Sequence, residues 1–226
     1  MLNQKIELVI FDWDGTLIDS QANIVDCMRS MVRDLALPDK TDDELSNIIG
    51  LGLYEALNTL FPEHDHVAYQ NMIDRYRYHF LSSDPSLPFP GAEEVLNELS
   101  NNDYLLAVAT GKGRRGLDKA LDQSGFRHLF HATRCADETR SKPHPQMLEE
   151  ILDLLGVEPD NALMIGDTEY DLQMAKHAGV HAIGVGYGVH DLERLLRCEP
   201  ITVIQEIRAL LDWLNGEKIA LGLNRG

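Results

Sequence analysis

Four short segments carry the residues best suited to chemistry. In the first, Asp12 and Asp14 stand two apart in Phe11-Asp12-Trp13-Asp14-Gly15-Thr16, at the end of an apolar run. Two carboxylates so placed are costly to keep without a cation or a raised pKa. They could ligate a hard metal ion or divide into a nucleophile and an acid/base partner. Asp and Gly also form turns, so a plain turn is the competing reading. An EF-hand loop is excluded, because no Glu stands at the twelfth place and a buried strand precedes the segment. The second segment is Thr110-Gly111. A hydroxyl and free N–H groups between a strand and a helix suit a phosphate, or the Thr simply caps the helix.

The third is Lys142 in Ser141-Lys142-Pro143-His144-Pro145, where two prolines stiffen the backbone. So placed, the lysine could supply one charge-assisted hydrogen bond of about 1.5–3 kcal/mol; the alternative is a solvated lysine before a helix. In the fourth, Asp167 and Asp171 lie one helical turn apart in Gly166-Asp167-Thr168-Glu169-Tyr170-Asp171. A helix N-terminus favours acids in its first turn, yet that does not explain Asp167 at a strand end. Together the segments suit metal-assisted phosphoryl transfer. Mg²⁺ takes one or two carboxylates, waters and substrate phosphate, while Lys, Thr and backbone N–H groups hold the other phosphoryl oxygens.

The elements that must position these residues alternate. Apolar runs predict strands at Glu7–Phe11, Tyr104–Ala109, Ala162–Ile165 and Ala182–Val185, with a weaker one at His131–Cys135. Helices are predicted at Arg114–Ser124, Pro145–Leu155, Glu169–Ala178 and Val203–Leu214, with fraying over Gly216–Gly226. The pattern is that of an α/β fold with a doubly wound, Rossmann-like parallel sheet. Between Ser20 and Leu81 only helical spacing occurs, for example Ile24, Cys27, Met28, Met31, Val32 and Leu35. Three prolines at Pro85, Pro88 and Pro90 then break the chain. The expected division is a core of residues 1–19 and 85–226, with an all-helical cap of residues 20–84 inserted after the first strand. In such sheets ligands bind outside the carboxyl ends of the strands, where all four segments fall.

The chain has 226 residues, enough for a sizeable core. Its net charge of −17 argues against nucleic-acid binding and requires local positive groups to hold an anionic substrate. No apolar run approaches the roughly 20 residues that cross a bilayer. Met1-Leu2-Asn3-Gln4-Lys5 has no signal-peptide character, and Cys27, Cys135 and Cys198 form no disulfide or zinc pattern. The expectation is a cytoplasmic protein, monomeric or weakly dimeric, with reduced and buried cysteines and no membrane or nucleic-acid partner.

Four ordered motifs make the chain resemble the haloacid dehalogenase superfamily, in its phosphoglycolate-phosphatase-like branch. They are Phe-Asp-Trp-Asp-Gly-Thr-Leu-Ile-Asp-Ser at 11–20, Ala-Thr-Gly-Lys at 109–112, Ser-Lys-Pro-His-Pro at 141–145 and Ile-Gly-Asp-Thr-Glu-Tyr-Asp at 165–171. The resemblance implies a Mg²⁺-dependent phosphatase of a small phosphorylated metabolite. It makes Asp12 the nucleophile and a metal ligand, and Asp14 the acid/base and a ligand through its backbone carbonyl. Asp167 completes the metal site and Asp171 supports it. Thr110, Gly111 and Lys142 bind the phosphoryl group. The cap loop with Gly50 and Leu51 reads the leaving group, and Lys112 joins these specificity candidates as local positive charge.

Other readings stand beside this one. Gly111-Lys112-Gly113-Arg114-Arg115-Gly116 matches Gly-x-Gly-x-x-Gly, so a non-catalytic dinucleotide-binding module is an alternative, although the expected acid about 20 residues on is replaced by His131. Within the superfamily, a pyrophosphatase or a sugar phosphomutase shares the core motifs. Asp14 speaks against a dehalogenase. A phosphonatase would need a cap lysine, and the only one, Lys40, looks exposed. The cap bases Arg29, Arg33, Arg75, Arg77 and His79 could hold a second anionic group or simply face solvent.

Overall fold

Every residue of Leu8–Phe11 is buried, and this run forms β1 at the centre of the sheet. The computed structural model describes residues 5–220, with side chains to 216. Strand β1 pairs in parallel with β2 (Leu105–Thr110) on one side and with β4 (Ala162–Gly166) on the other. Strand β3 (Ala132–Cys135) lies outside β2, while β5 (His181–Val185) and β6 (Thr202–Ile204) extend the other half. The order β3-β2-β1-β4-β5-β6 reverses its direction of growth between β1 and β4. That is the switch point at which such sheets leave a crevice for a ligand.

Alternation along β1 sends Val9 and Phe11 to one face and Leu8 and Ile10 to the other, each into its own apolar cluster. The first face is covered by α5 (Ala92–Asn101), α6 (Arg114–Ser124) and α10 (Ala209–Ala220), through Val95, Leu96, Leu117 and Leu210. The second is covered by α7 (Gln146–Leu155) and α8 (Glu169–Ala178), through Leu148, Ile151, Met174 and Ala175. A short helix, α9 (Leu192–Leu196), precedes β6.

Between β1 and α5 the chain forms only helices: α1 (Gln21–Asp34), α2 (Asp42–Asn47), α3 (Leu53–Leu60) and α4 (His66–Ser82). Their apolar faces meet in a separate cluster that includes Met31, Leu45, Leu57 and Met72. Helix α2 starts on a reciprocal Thr41–Glu44 cap and α4 on the Asp65 carboxylate, which accepts from the Ala68 N–H. The two ends of the insertion are tied together. The Asp19 N–H donates to the Leu87 carbonyl and the Phe89 N–H to the Leu17 carbonyl, each at 2.9 Å.

One expected helix is corrected. Val203–Leu214 splits into β6 and α10, because Val203 and Ile204 pair with Gly184 and Val185 at the sheet edge. Ile204, Ile207, Leu210 and Leu214 recur at three- and four-residue spacing, which hides so short a strand. Helix α10 runs on to Ala220, and the expected fraying over Gly216–Gly226 falls partly on residues 221–226, which lie outside the described part, as do 1–4. Cys27 and Cys135 are buried free thiols, whereas Cys198 is only half-buried. Among the described residues no helix is long and apolar enough to cross a membrane.

Candidate active site

Asp12 leaves the end of β1 with its N–H donating to the Ile165 carbonyl of β4 at 2.9 Å, which fixes it at the switch point. Asp167 follows β4 directly, and Asp171 sits in the first turn of α8. All three are buried, and one carboxylate oxygen from each lies within 4.8 Å of the others. The Lys142 ammonium, fully buried, reaches them from the loop before α7. It lies 2.8 Å from Asp12 Oδ1 and donates to Asp171 Oδ1 at 2.6 Å.

The three acids differ in how their oxygens are held. Asp167 accepts from the Thr16 hydroxyl at 2.8 Å and from the Val189 N–H at 2.9 Å. Asp171 accepts from the N–H and hydroxyl of Thr168, the reciprocal cap that starts α8, in addition to Lys142. Asp12 Oδ2 has no partner among the described residues, and Oδ1 has only the Lys142 ammonium at 2.8 Å. Burial pushes Asp12 well above the usual carboxylate range, Lys142 opposes this, and Asp171 and Asp167 add to it. Burial, reinforced by the Asp171 charge, pushes Asp167 up to about 7. Burial also works against the charge on Lys142, but Asp12 and Asp171 outweigh it and hold the ammonium above the ordinary lysine range.

Three carboxylates therefore face one ammonium, and the least satisfied oxygens belong to Asp12. A divalent cation that prefers oxygen ligands fits both facts, since it would partner those oxygens and cancel the excess negative charge. Gly15 makes the approach possible. Its φ is +78°, and a β-carbon there would lie 2.2 Å from Asp167 Oδ2.

Asp14 lies apart from this cluster. Its Oδ1 accepts from the Ser20 hydroxyl at 2.6 Å and from the Lys112 ammonium at 2.8 Å. The same ammonium sits 4.2 Å from the centre of the Phe80 ring on α4, so Lys112 joins core and insertion. Thr110 is buried, and its hydroxyl accepts from the Lys112 N–H. Gly111 runs directly beneath the insertion: a β-carbon there would stand 2.4 Å from the Leu51 carbonyl oxygen and 2.6 Å from that of Gly50.

These contacts speak against the dinucleotide reading of the Gly-rich loop. The backbone that a pyrophosphate would approach is covered by Gly50 and Leu51. At the start of α6, the Arg114 N–H is already taken by the Asp137 carboxylate at 2.8 Å.

A cavity of about 320 Å³ lies between core and insertion, lined by Asp12, Asp14, Gly50, Leu51, Gly111 and Lys112 among others. Of the cap bases, only Arg77 lines it, joined by Arg115 from α6, and neither has a polar partner among the described residues. Arg29 instead pairs with Asp26 and Asp42, and Arg75 and His79 pair with Asp34. The Arg33 guanidinium bonds to Ser30. Lys40 pairs with Glu44 and lies over the Phe61 ring, so it is more covered than expected and does not line the cavity.

Several contributors carried no signal that sequence reasoning used. Thr16 and Ser20 lie in the first motif, but nothing in their residue type marks them as donors to Asp167 and Asp14. Asn47, at the end of α2, is held by three core residues: Tyr170 and His190 meet its carbonyl and Arg194 its side chain. This clasp links the insertion to the Asp167–Asp171 segment, and nothing local in sequence marks it.

The haloacid dehalogenase-like hydrolase family model matches residues 9–185, a span that holds every acid described above. The chain belongs to that family. Among relatives of this hydrolase, a protein named probable phosphatase IndB from Dickeya dadantii is 36% identical over 203 residues, covering 87% of this chain and 88% of its own. A phosphoglycolate phosphatase from Agrobacterium fabrum is 30% identical, with 95% of each chain covered. A pyrophosphatase named PpaX from Oceanobacillus iheyensis is 26% identical over 92% of this chain and 96% of its own. The solved structure of a haloacid dehalogenase-like family protein from Streptococcus pneumoniae shares the fold, with a TM-score of 0.80 at 22% identity, covering 92% of this chain and 98% of that one.

Proposed function

We propose that this hydrolase is a Mg²⁺-dependent phosphatase that takes the phosphoryl group of a small phosphomonoester onto Asp12 and then releases it to water. The observation that carries the reading is Asp12 itself: a buried carboxylate at the switch point of the sheet whose one side-chain partner among the described residues is a buried ammonium. With Oδ2 unpartnered and Oδ1 paired to a single ammonium, lone pairs remain for attack and for a metal.

In the first step an Asp12 oxygen bonds to phosphorus as the ester oxygen departs with a proton from Asp14. In the second, Asp14 takes a proton from water, whose oxygen bonds to phosphorus and frees Asp12 and inorganic phosphate. Asp14 suits this exchange because it lies outside the triple-acid cluster, oriented by Ser20 and Lys112. Lys142 and the backbone N–H groups of the Thr110-Gly111 segment hold phosphoryl oxygens. Asp12, Asp167 and the Asp14 backbone carbonyl would hold Mg²⁺, while Asp171 keeps Lys142 and Thr168 in place. The ion supplies positive charge against the phosphoryl oxygens and the clustered acids. Residues 20–84 act as the cap, with Gly50, Leu51 and Lys112 on the leaving-group side.

The test is release of inorganic phosphate from an aryl phosphate, with Mg²⁺ and with excess chelator. Release is expected only with metal and should be lost in Asp12→Asn, while Mg²⁺ still raises the melting temperature of the wild-type protein. Full activity in chelator or in the variant would overturn the mechanism.

A further inference from the structure

We infer that the leaving group accepted by this site is an apolar, ring-sized alcohol without a second charge; the inference rests on the phosphatase reading above. The wall opposite Asp12 and Asp14 is hydrocarbon. Met28, Ile49, Leu53, Ile73, Tyr76 and Phe80 all line the cavity, and Tyr76 stacks on Phe80 with ring centres 5.8 Å apart and planes within 20°. Together they offer flat and aliphatic surface, on which an apolar ring gains by leaving water.

A second anionic group would find no buried, unpaired cation among the described residues of the lining. Of the cavity-lining cations, Lys112 is engaged by Asp14, while the unpaired Arg77 and Arg115 belong to exposed residues whose charge water already solvates. Glu55 lines the same cavity with a carboxylate. Moving a carboxylate or a second phosphate against such walls is costly without a paired cation. Size points the same way, because about 320 Å³ is roughly ten water volumes, more than a two-carbon acid or a lone phosphate fills. Phosphoglycolate and pyrophosphate thus match this site at the transferred phosphoryl group and mismatch it at the leaving group.

The test is calorimetry on the Asp12→Asn protein with Mg²⁺, comparing naphthyl phosphate, phosphoglycolate, pyrophosphate and inorganic phosphate. Naphthyl phosphate should bind at least about tenfold tighter than phosphoglycolate or pyrophosphate, with a negative heat-capacity change, since a single methylene in an apolar pocket is already worth about 10–200-fold. Leu53→Gln should raise the ratio of the naphthyl phosphate Kd to the inorganic phosphate Kd by about fivefold to tenfold. A ratio cancels any loss of folded protein. Equal or tighter binding of phosphoglycolate or pyrophosphate, no binding of naphthyl phosphate, or an unmoved ratio in Leu53→Gln overturns the inference. The phosphatase reading is judged separately, by phosphate release from the wild-type enzyme.

Discussion

Lys142→Met keeps the length of the side chain and removes its charge from a place with no access to water. The Lys142 side chain is 0% exposed, with Asp12 at 2.8 Å and Asp171 at 2.6 Å, and Asp167 belongs to the same cluster. Removing one partner of a buried ion pair costs about 3–5 kcal/mol, because the charge left behind is neither solvated nor paired. For a chain of this size each kcal/mol moves the melting temperature by about 2–4 °C, so a drop of roughly 6–20 °C follows. The measurement is thermal unfolding by circular dichroism at neutral pH in excess chelator. Adding Asp171→Asn to Lys142→Met removes one of the stranded carboxylates and should restore at least about 1 kcal/mol, a coupling typical of groups in contact. Mg²⁺ should also restore part of the loss, since it opposes the same charge. A variant that melts within about 2 °C of wild type, or a double variant whose losses simply add, would refute the claim that Lys142 balances the acids.

Three further outcomes follow from the geometry. Asp14→Asn should keep the Mg²⁺-dependent rise in melting temperature and lose about 10²- to 10⁴-fold in turnover; unchanged turnover removes its acid/base role. Arg77→Gln with Arg115→Gln should lower kcat/KM for an anionic ester at low ionic strength, and the difference should shrink as salt screens the site; a salt-independent difference would contradict local attraction in a chain of net charge −17. Gly111→Ala should lower kcat/KM by displacing Gly50 and Leu51, whose carbonyls leave no room for a β-carbon, and a cavity-bound ligand should show faster dissociation; wild-type kinetics would show that this contact is dispensable.

The sheet and the acids were legible in the sequence for one physical reason. Central parallel strands are buried on both faces, so Leu8–Phe11 and Ala162–Ile165 read as unbroken apolar runs whose ends are marked by acids. The edge strand β6 was not legible, because three residues give too little period to separate from a following helix. Within the site, the types and places of Asp12, Asp14, Lys142, Asp167 and Asp171 could be read, but their pairings could not. That Lys142 reaches Asp171, that Thr16 donates to Asp167 and that Lys112 is engaged by Asp14 are contacts across 29, 151 and 98 residues. The far wall of the cavity was equally hidden, since apolar residues on helices α1 and α4 look alike whether they fill a core or face a ligand.

The paired backbone at Leu17–Asp19 and Leu87–Phe89 has a consequence for how such a protein can change. The insertion departs and returns through two adjacent backbone segments that are hydrogen-bonded to each other, about 5 Å apart as in a strand pair. The chain path through the sheet therefore does not depend on the length of the insertion, whose further contacts with the core run through Asn47, Gly50 and Leu51. Helices can be lengthened, repacked or exchanged beyond this junction while Asp12 and Asp167 keep their positions. On the proposed reading, reaction chemistry and choice of leaving group can therefore diverge along one lineage, the first held by the sheet and the second by a module whose covalent connections to it meet at one seam.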